Sequence, residues 1–299
     1  MGKVLWWYNY SMNFKIKNLT DMEEYSPNWI GPGHDYSFWT PGEDGYYITD
    51  SLINNNVKSN ILYKINSYGF RSQNFKKLDA SKINILTSGC SQSFGYGLPE
   101  ELRWQSFLLN NLNNKDIELF DLSATGASFR LIVRNIFAFI KNYGKPDYIF
   151  IPFPDVARDF MFHEKYKKFV SVSANTRYLL EKRNNQTNPN IAYTESFNES
   201  DAIMRALESI WFLEDLCNAL GIKLFWTTWV TNNSYVQSVF ANCDFNNFIK
   251  PDLEYLKQLR TIENPNNLEY WHYAADGEHL GSSWTSWQGK IFSEKFYNG

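Results

Sequence analysis

From residue 80 onward, short apolar runs alternate with amphipathic segments, and this alternation constrains the fold more than any other feature of the sequence. A short apolar run is typical of a buried strand, whereas apolar residues spaced three and four apart are typical of a helix packed on one face. Strands that alternate with helices predict a central parallel sheet covered on both faces, which is a three-layer α/β/α sandwich. The predicted strands are 83–88, 117–122, 148–151 and 222–230, and the predicted helices are 100–112, 128–142, 201–220 and 284–296, with a further short helix near 251–261 in an Asn-rich region.

The sequence changes character at about residue 80. Residues 1–79 show little periodicity and are dense in Tyr, Trp, Asn, Gly and Pro, which predicts an irregular aromatic extension packed on the core. Residues 80–299 are predicted to form the α/β domain, with an insertion near 160–200, where the sequence becomes polar. A chain of 299 residues with 43% hydrophobic residues is large enough to bury one core of this size.

Composition excludes several classes of function. A net charge of −3 argues against a nucleic-acid binder that works through a broad basic face. The sequence has no apolar run long enough for a transmembrane helix, and its N-terminus lacks the apolar core of a signal peptide, so localisation stays open. Its three cysteines have no metal-type spacing, and no phosphate-binding or dinucleotide-binding motif is present, so we expect neither a metal nor a cofactor. The oligomeric state is not predicted.

Two short motifs near the two ends of the domain carry the chemistry. The first, Gly89-Cys90-Ser91-Gln92-Ser93-Phe94-Gly95, follows a predicted strand and leads into a helical segment. A serine on such a turn presents its hydroxyl to whatever approaches. The second, Asp276-Gly277-Glu278-His279, has an acid three residues before a histidine, and a carboxylate so placed can hold an imidazole that activates a distant serine. Together the motifs predict a serine hydrolase.

These motifs resemble the conserved blocks of the SGNH (GDSL) hydrolase family, over roughly residues 62–155 and 276–290. The resemblance implies a flavodoxin-like α/β/α fold. It also implies that Ser91 is the nucleophile and contributes its own N–H to the oxyanion hole, that His279 is the general base, and that Asp276 orients the imidazole. A further block, Asp121-Leu122-Ser123-Ala124-Thr125-Gly126, resembles the family segment whose closing glycine donates a backbone N–H to the oxyanion. By that resemblance the donor is Gly126.

The sequence departs from the family pattern at two positions. Cys90 stands where the family has an Asp that braces the turn, and Cys90 could alternatively be the nucleophile, although a residue before the turn serine should point into the fold. Pro154 stands where the family has an Asn that donates to the oxyanion. Arg158 is the best substitute donor in the sequence, because a guanidinium four residues further on can reach a developing oxyanion. A salt bridge from Arg158 to Asp155 or Asp159 is an equally good interpretation.

The resemblance implies hydrolysis of an ester through an acyl-enzyme, and O-acyl groups on a carbohydrate are one candidate substrate. Aromatic residues make up 18% of the chain. They indicate either an aromatic core encoded by an AT-rich genome, such as that of a phage, or a surface that stacks on sugar rings. Two other functions remain open. One is a non-catalytic descendant that binds glycans or serves as a virion or surface component, and the other is an O-acyltransferase, which would use the same catalytic residues.

Overall fold

The computed structural model describes residues 61–163, 168–174, 189–228, 234–243, 245–259 and 279–298, together with 40–42, 45–47, 261–264, 267–268 and 270–275. The strands are β1 (Thr40–Gly42), β2 (Gly45–Tyr47), β3 (Leu62–Tyr63), β4 (Ile83–Thr87), β5 (Ile117–Asp121), β6 (Tyr148–Phe153), β7 (Arg158–His163), β8 (Lys168–Ser173) and β9 (Lys223–Thr228). The helices are α1 (Ser91–Phe94), α2 (Trp104–Leu112), α3 (Phe129–Tyr143), α4 (Pro189–Ser196), α5 (Glu199–Leu220), α6 (Ser234–Asn242), α7 (Leu253–Gln258) and α8 (Ser282–Asn298), and a 3-10 turn spans Glu100–Leu102.

Four parallel strands form the central sheet in the order β5-β4-β6-β9. The chain runs from β4 to β5 on one side, and then returns past β4 to β6 and β9 on the other side. A sheet wound in this way carries helices on both faces, and its ligands bind at the carboxyl ends of the strands. A parallel bridge between Trp226 and Phe248 extends the sheet beyond β9. The predicted parallel sheet is confirmed, and all four predicted strands belong to it.

Each face of the sheet has its own apolar core. On one face, α3, α5 and α6 pack against strand side chains that include Leu86, Ile149 and Trp226. On the other face, α2 and α8 pack against Ile85 and Phe150. Neighbouring residues of β4 and of β6 therefore point into opposite cores, which is the period of two expected for strands that are buried on both sides. The result is the three-layer α/β/α sandwich that the sequence predicts.

Local sequence explains where the long helices begin and end. The side chain of Ser128 accepts a hydrogen bond from Leu131 N at the start of α3, and Asn198 accepts one from Asp201 N at the start of α5. Both are N-caps, which satisfy backbone N–H groups that have no partner within the helix. Helix α5 ends at Gly221, whose φ of 65° is the left-handed conformation of a C-cap.

Two parts of the chain have more regular structure than the sequence predicted. In the polar stretch near 160–200, β7 and β8 form an antiparallel hairpin, and α4 follows it. Helix α6 lies in an Asn-rich region where only the later helix near 251–261 was predicted. These elements are short and lie among polar residues, so they lack a long periodic pattern. Residues 229 and 230, at the end of the predicted fourth strand, lie outside the described residues, and the division at residue 80 stays a prediction.

Many of the large aromatic side chains of the described residues lie in the interior, and others are exposed. Trp104, Trp226 and Trp284 are fully buried, as are many of the phenylalanines. The buried rings form part of the apolar cores, and exposed rings such as Tyr273 and Trp211 remain available to a ligand, so both interpretations of the aromatic content stay predictions. Within the described part of the chain, no helix combines the length and the apolar character that a membrane span requires.

Candidate active site

The structure brings Ser91 and His279 together, although they are 188 residues apart in the chain. Ser91 is the first residue of α1, just beyond the carboxyl end of β4, and it is 7% exposed. Its Oγ lies 2.9 Å from Nε2 of His279. A hydroxyl at this distance can donate its proton to a neutral imidazole, which is the relation between a nucleophile and its general base.

Short backbone contacts hold the loop that carries His279. Tyr273 and Leu280 form an antiparallel bridge, and Ala274 N donates to the carbonyl of His279 at 2.9 Å. The ring of Tyr96 lies 5.3 Å from the imidazole, centroid to centroid. Asp276, the predicted orienter of the imidazole, lies outside the described residues, so its role stays a prediction.

Gln92 also belongs to the site, although the sequence did not predict it. Its side chain lies on α1 beside the nucleophile and reaches the backbone of Leu280, the residue after His279. Gln92 Nε2 donates to Leu280 O at 2.8 Å, and Leu280 N donates to Gln92 Oε1 at 3.0 Å. No local pattern marks such a contact, because its two partners come from opposite ends of the domain.

Cys90 points away from the site. It is the N-cap residue of α1, but its side chain makes no capping hydrogen bond. The side chain is buried and belongs to the apolar core on the α3 side of the sheet. This placement favours Ser91 over Cys90 as the nucleophile, because a nucleophile must be accessible to substrate.

The turn after Ser91 is held by a buried arginine. Nη1 of Arg71 donates to Gly95 O and Leu98 O, at 2.9 Å in each case. Nε of Arg71 pairs with Glu100 at 2.9 Å. Burial lowers the pKa of Arg71 to about 10, and the nearby Arg103 guanidinium contributes to the shift. Charge-assisted hydrogen bonds to two carbonyls fix the path of the turn.

A second group of buried polar side chains continues this brace. Arg103 pairs with Glu100 at 2.8 Å and with Asp121 at the end of β5. Gln105 donates both to Asp121, at 3.1 Å, and to the carbonyl of Ser93 in α1, at 2.9 Å. Burial opposes the charge of Glu100, but the two arginines outweigh it and hold the pKa of Glu100 below its usual value. The polar network thus links helix α1 and the turn that follows it to β5.

Gly126 lies on a turn beside the nucleophile motif. Ala124 N donates to Gly89 O at 3.1 Å, and Ala127 N donates to Ala124 O at 3.2 Å, which closes a β-turn. Gly126 is the third residue of that turn, and its φ of 73° is the value that a type II turn requires there. The hydrogen bond that closes the turn does not use the N–H of Gly126. A Cβ on Gly126 would lie 3.3 Å from Cβ of Ser171 in β8.

Pro154 and Arg158 lie where β6 leads into the hairpin. Pro154 is buried directly after β6, and Arg158 begins β7, where it pairs with Ser173 of β8. Asp159 forms ion pairs with Arg130, at 3.2 Å, and with Arg205, at 3.3 Å. The carboxylate of Asp159 is thereby engaged on the α3 and α5 side. A role for Arg158 at the oxyanion stays a prediction.

Fold and site together define the class of this protein as an α/β sandwich with a serine–histidine pair at the carboxyl edge of its parallel sheet. No model of a known protein family and no curated protein matches the sequence. Among solved structures, the chain is similar to the esterase EstA from Pseudoalteromonas, with 13% identity and a TM-score of 0.43 over 73% of this chain and 100% of that one.

Two further solved structures are similar to the chain. One is described as a lipolytic protein of the G-D-S-L family from Desulfitobacterium hafniense, with 12% identity and a TM-score of 0.39 over 71% of this chain and 99% of that one. The other is described as an acylhydrolase from Bacteroides fragilis, with 13% identity and a TM-score of 0.39 over 74% of this chain and 91% of that one. The function proposed below rests on the residues of the site.

Proposed function

We propose that this protein is a serine esterase that hydrolyses its substrate through an acyl-enzyme. The observation that carries the proposal is the 2.9 Å contact between Ser91 Oγ and His279 Nε2. Gly126, at the carboxyl end of the neighbouring strand, supports it as an oxyanion donor. In this proposal the N–H groups of Ser91 and Gly126, with Arg158, stabilise the oxyanion, and Asp276 orients the imidazole.

The reaction follows from these positions. Ser91 Oγ attacks the acyl carbon while His279 Nε2 takes its proton, and the carbonyl oxygen becomes the oxyanion. His279 then returns the proton to the alcohol oxygen, the C–O bond of the ester breaks, and the alcohol leaves. A water molecule then attacks the acyl-enzyme: it gives one proton to His279 and its oxygen bonds to the acyl carbon. The bond between the acyl carbon and Ser91 Oγ breaks, His279 returns the proton to Ser91 Oγ, and the carboxylic acid leaves.

The test combines labelling of the serine with turnover. Purified protein is treated with a fluorophosphonate and assayed with p-nitrophenyl acetate, beside Ser91→Ala, His279→Ala and Cys90→Ala variants. We expect labelling to disappear in Ser91→Ala, and turnover to fall by about 10³-fold or more in both site variants. Ser93→Ala is the matched control, because the Ser93 hydroxyl is buried in the same helix and forms no hydrogen bond in the described structure. Absence of labelling in the native protein would refute the proposal, and labelling lost only in Cys90→Ala would move the nucleophile.

We further propose an acylated carbohydrate as the substrate. Tyr273 lies on the loop that carries His279, bridges to Leu280 and is 41% exposed. An exposed aromatic ring on the loop of the general base suits stacking on a sugar face. The measurement is kcat/KM for an acetylated oligosaccharide against p-nitrophenyl acetate, in the native protein and in Tyr273→Ala. Loss confined to the oligosaccharide is expected, and an equal effect on both substrates would contradict the carbohydrate assignment.

A further inference from the structure

Two hydrogen bonds connect helix α1, which begins with Ser91, to the loop that carries His279. Gln92 follows Ser91 in α1, and Leu280 follows His279. The carboxamide of Gln92 donates to the carbonyl of Leu280 and accepts from its N–H, at 2.8 and 3.0 Å. Gln92 is 2% exposed, so water competes little for either bond.

We propose that Gln92 is a positioning residue that sets the distance between Ser91 Oγ and His279 Nε2. This inference rests on the proposed function. Each end of the contact is one residue from a member of the reacting pair, so movement of the loop relative to α1 would stretch the Gln92–Leu280 contact and the Ser91–His279 contact together. A displacement of about 1 Å between reacting groups can cost about 100-fold in rate.

An amide is the side chain that this contact requires. The backbone of Leu280 presents one donor and one acceptor, and a carboxamide offers one acceptor and donors in a single plane. A carboxylate at the same position could accept from Leu280 N, but it would face the carbonyl of Leu280 with a second acceptor. A leucine fills a similar volume and makes neither bond. The chemistry of position 92 is therefore testable by substitution at nearly constant size.

The test uses Gln92→Leu and Gln92→Glu in the full chain. The matched control is Gln288→Leu, because Gln288 is a buried glutamine of α8 whose side chain makes no hydrogen bond in the described structure. For p-nitrophenyl acetate we expect kcat to fall about 10- to 100-fold in both Gln92 variants at neutral pH, with KM within about twofold. Gln288→Leu should retain the kcat of the native protein.

Two further measurements separate positioning from a structural effect. The first is Gln92→Leu in the His279→Ala background, where we expect no additional loss of kcat because Gln92 acts through His279. The second is hydrogen exchange at the Leu280 amide, which should be protected in the native protein and faster in Gln92→Leu. Unchanged exchange, unchanged kcat, or an equal loss of kcat in both backgrounds would each overturn the inference. A native protein without serine-dependent turnover would instead show that the proposed function has failed.

Discussion

Replacement of Arg71 by methionine should destabilise the turn that follows the nucleophile helix α1. Met has a similar length, but it cannot donate to the carbonyls of Gly95 and Leu98, to which Arg71 Nη1 donates at 2.9 Å. The substitution also removes the guanidinium that lies 4.4 Å from the ring centroid of Tyr63, and the partner of Glu100. Gly95 O keeps a second donor, Leu98 N at 3.1 Å, whereas Leu98 O has no other donor among the described residues.

The magnitude follows from these contacts. Without Arg71, Leu98 O has no other donor among the described residues, which costs about 1–3 kcal/mol, and Gly95 O keeps only Leu98 N, which costs about 0.5–1.5 kcal/mol. The cation–π contact contributes about 0.5–2 kcal/mol. Relief of the burial of the guanidinium and of its repulsion from Arg103, which lower the pKa of Arg71, offsets part of this loss. We therefore expect a net loss of about 2–4 kcal/mol in the free energy of unfolding. At about 2 °C per kcal/mol for a chain of this length, Tm falls by roughly 4–8 °C.

The assay is thermal unfolding followed by circular dichroism, with p-nitrophenyl acetate turnover measured well below Tm. Lys82→Met is the matched control, because Lys82 is 38% exposed and its partner Asp116 is 74% exposed, so that theirs is a surface ion pair of about 0–1 kcal/mol. Arg71→Met should also lower kcat, since the turn begins four residues after Ser91. A change in Tm no greater than that of Lys82→Met would refute the assignment of Arg71 as the brace of the turn.

Two further predictions address the oxyanion donor and a buried carboxyl group. Gly126→Ala should lower kcat by about 10-fold or more, because an alanine is strained at a φ of 73° and its Cβ would press on Ser171. An unchanged kcat would show that Gly126 is not a donor of the oxyanion hole. Burial raises the pKa of Glu214 above 4.5, although the indole of Trp226 donates to it. A carboxyl group whose pKa is raised in the folded state stabilises the protein at pH values below its pKa in the unfolded state, and this stabilisation is lost as the pH rises through its pKa in the folded state. Glu214→Gln should therefore unfold at a higher temperature than the native protein at pH 8, and the difference should disappear near pH 4.

The elements with the strongest periodicity were the ones that the sequence predicted well. Helix α3 was predicted at 128–142 and spans Phe129–Tyr143, and α5 was predicted at 201–220 and spans Glu199–Leu220. Both bury a continuous apolar stripe against the sheet, and that stripe is visible in the sequence. The β7–β8 hairpin was missed, because its strands pair with each other outside the central sheet and need no long apolar run.

The site was predictable where chemistry requires a particular residue type at a particular turn. A serine after a strand and a histidine near the end of the domain identified Ser91 and His279, and the structure places their side chains in contact. The supporting side chains could not be predicted in the same way. Arg71 and Gln92 act on backbone atoms, and any loop with the right path supplies such atoms whatever its sequence. Only the folded chain shows which carbonyls they reach.

Cys90 gives helix α1 no side-chain cap, so the turn that follows Ser91 depends on other donors, and the Ser91–His279 contact is present without such a cap. With no capping hydrogen bond from Cys90, Arg71 donates to the carbonyl of Gly95 and Gln105 donates to that of Ser93. These donors belong to a buried network that ends on Asp121 of β5, the strand that leads to the proposed oxyanion turn. The support of the nucleophile and that of the oxyanion donor are therefore mechanically joined. Substitutions in this network should disturb both, whereas a change at Cys90 should act mainly through packing of the core.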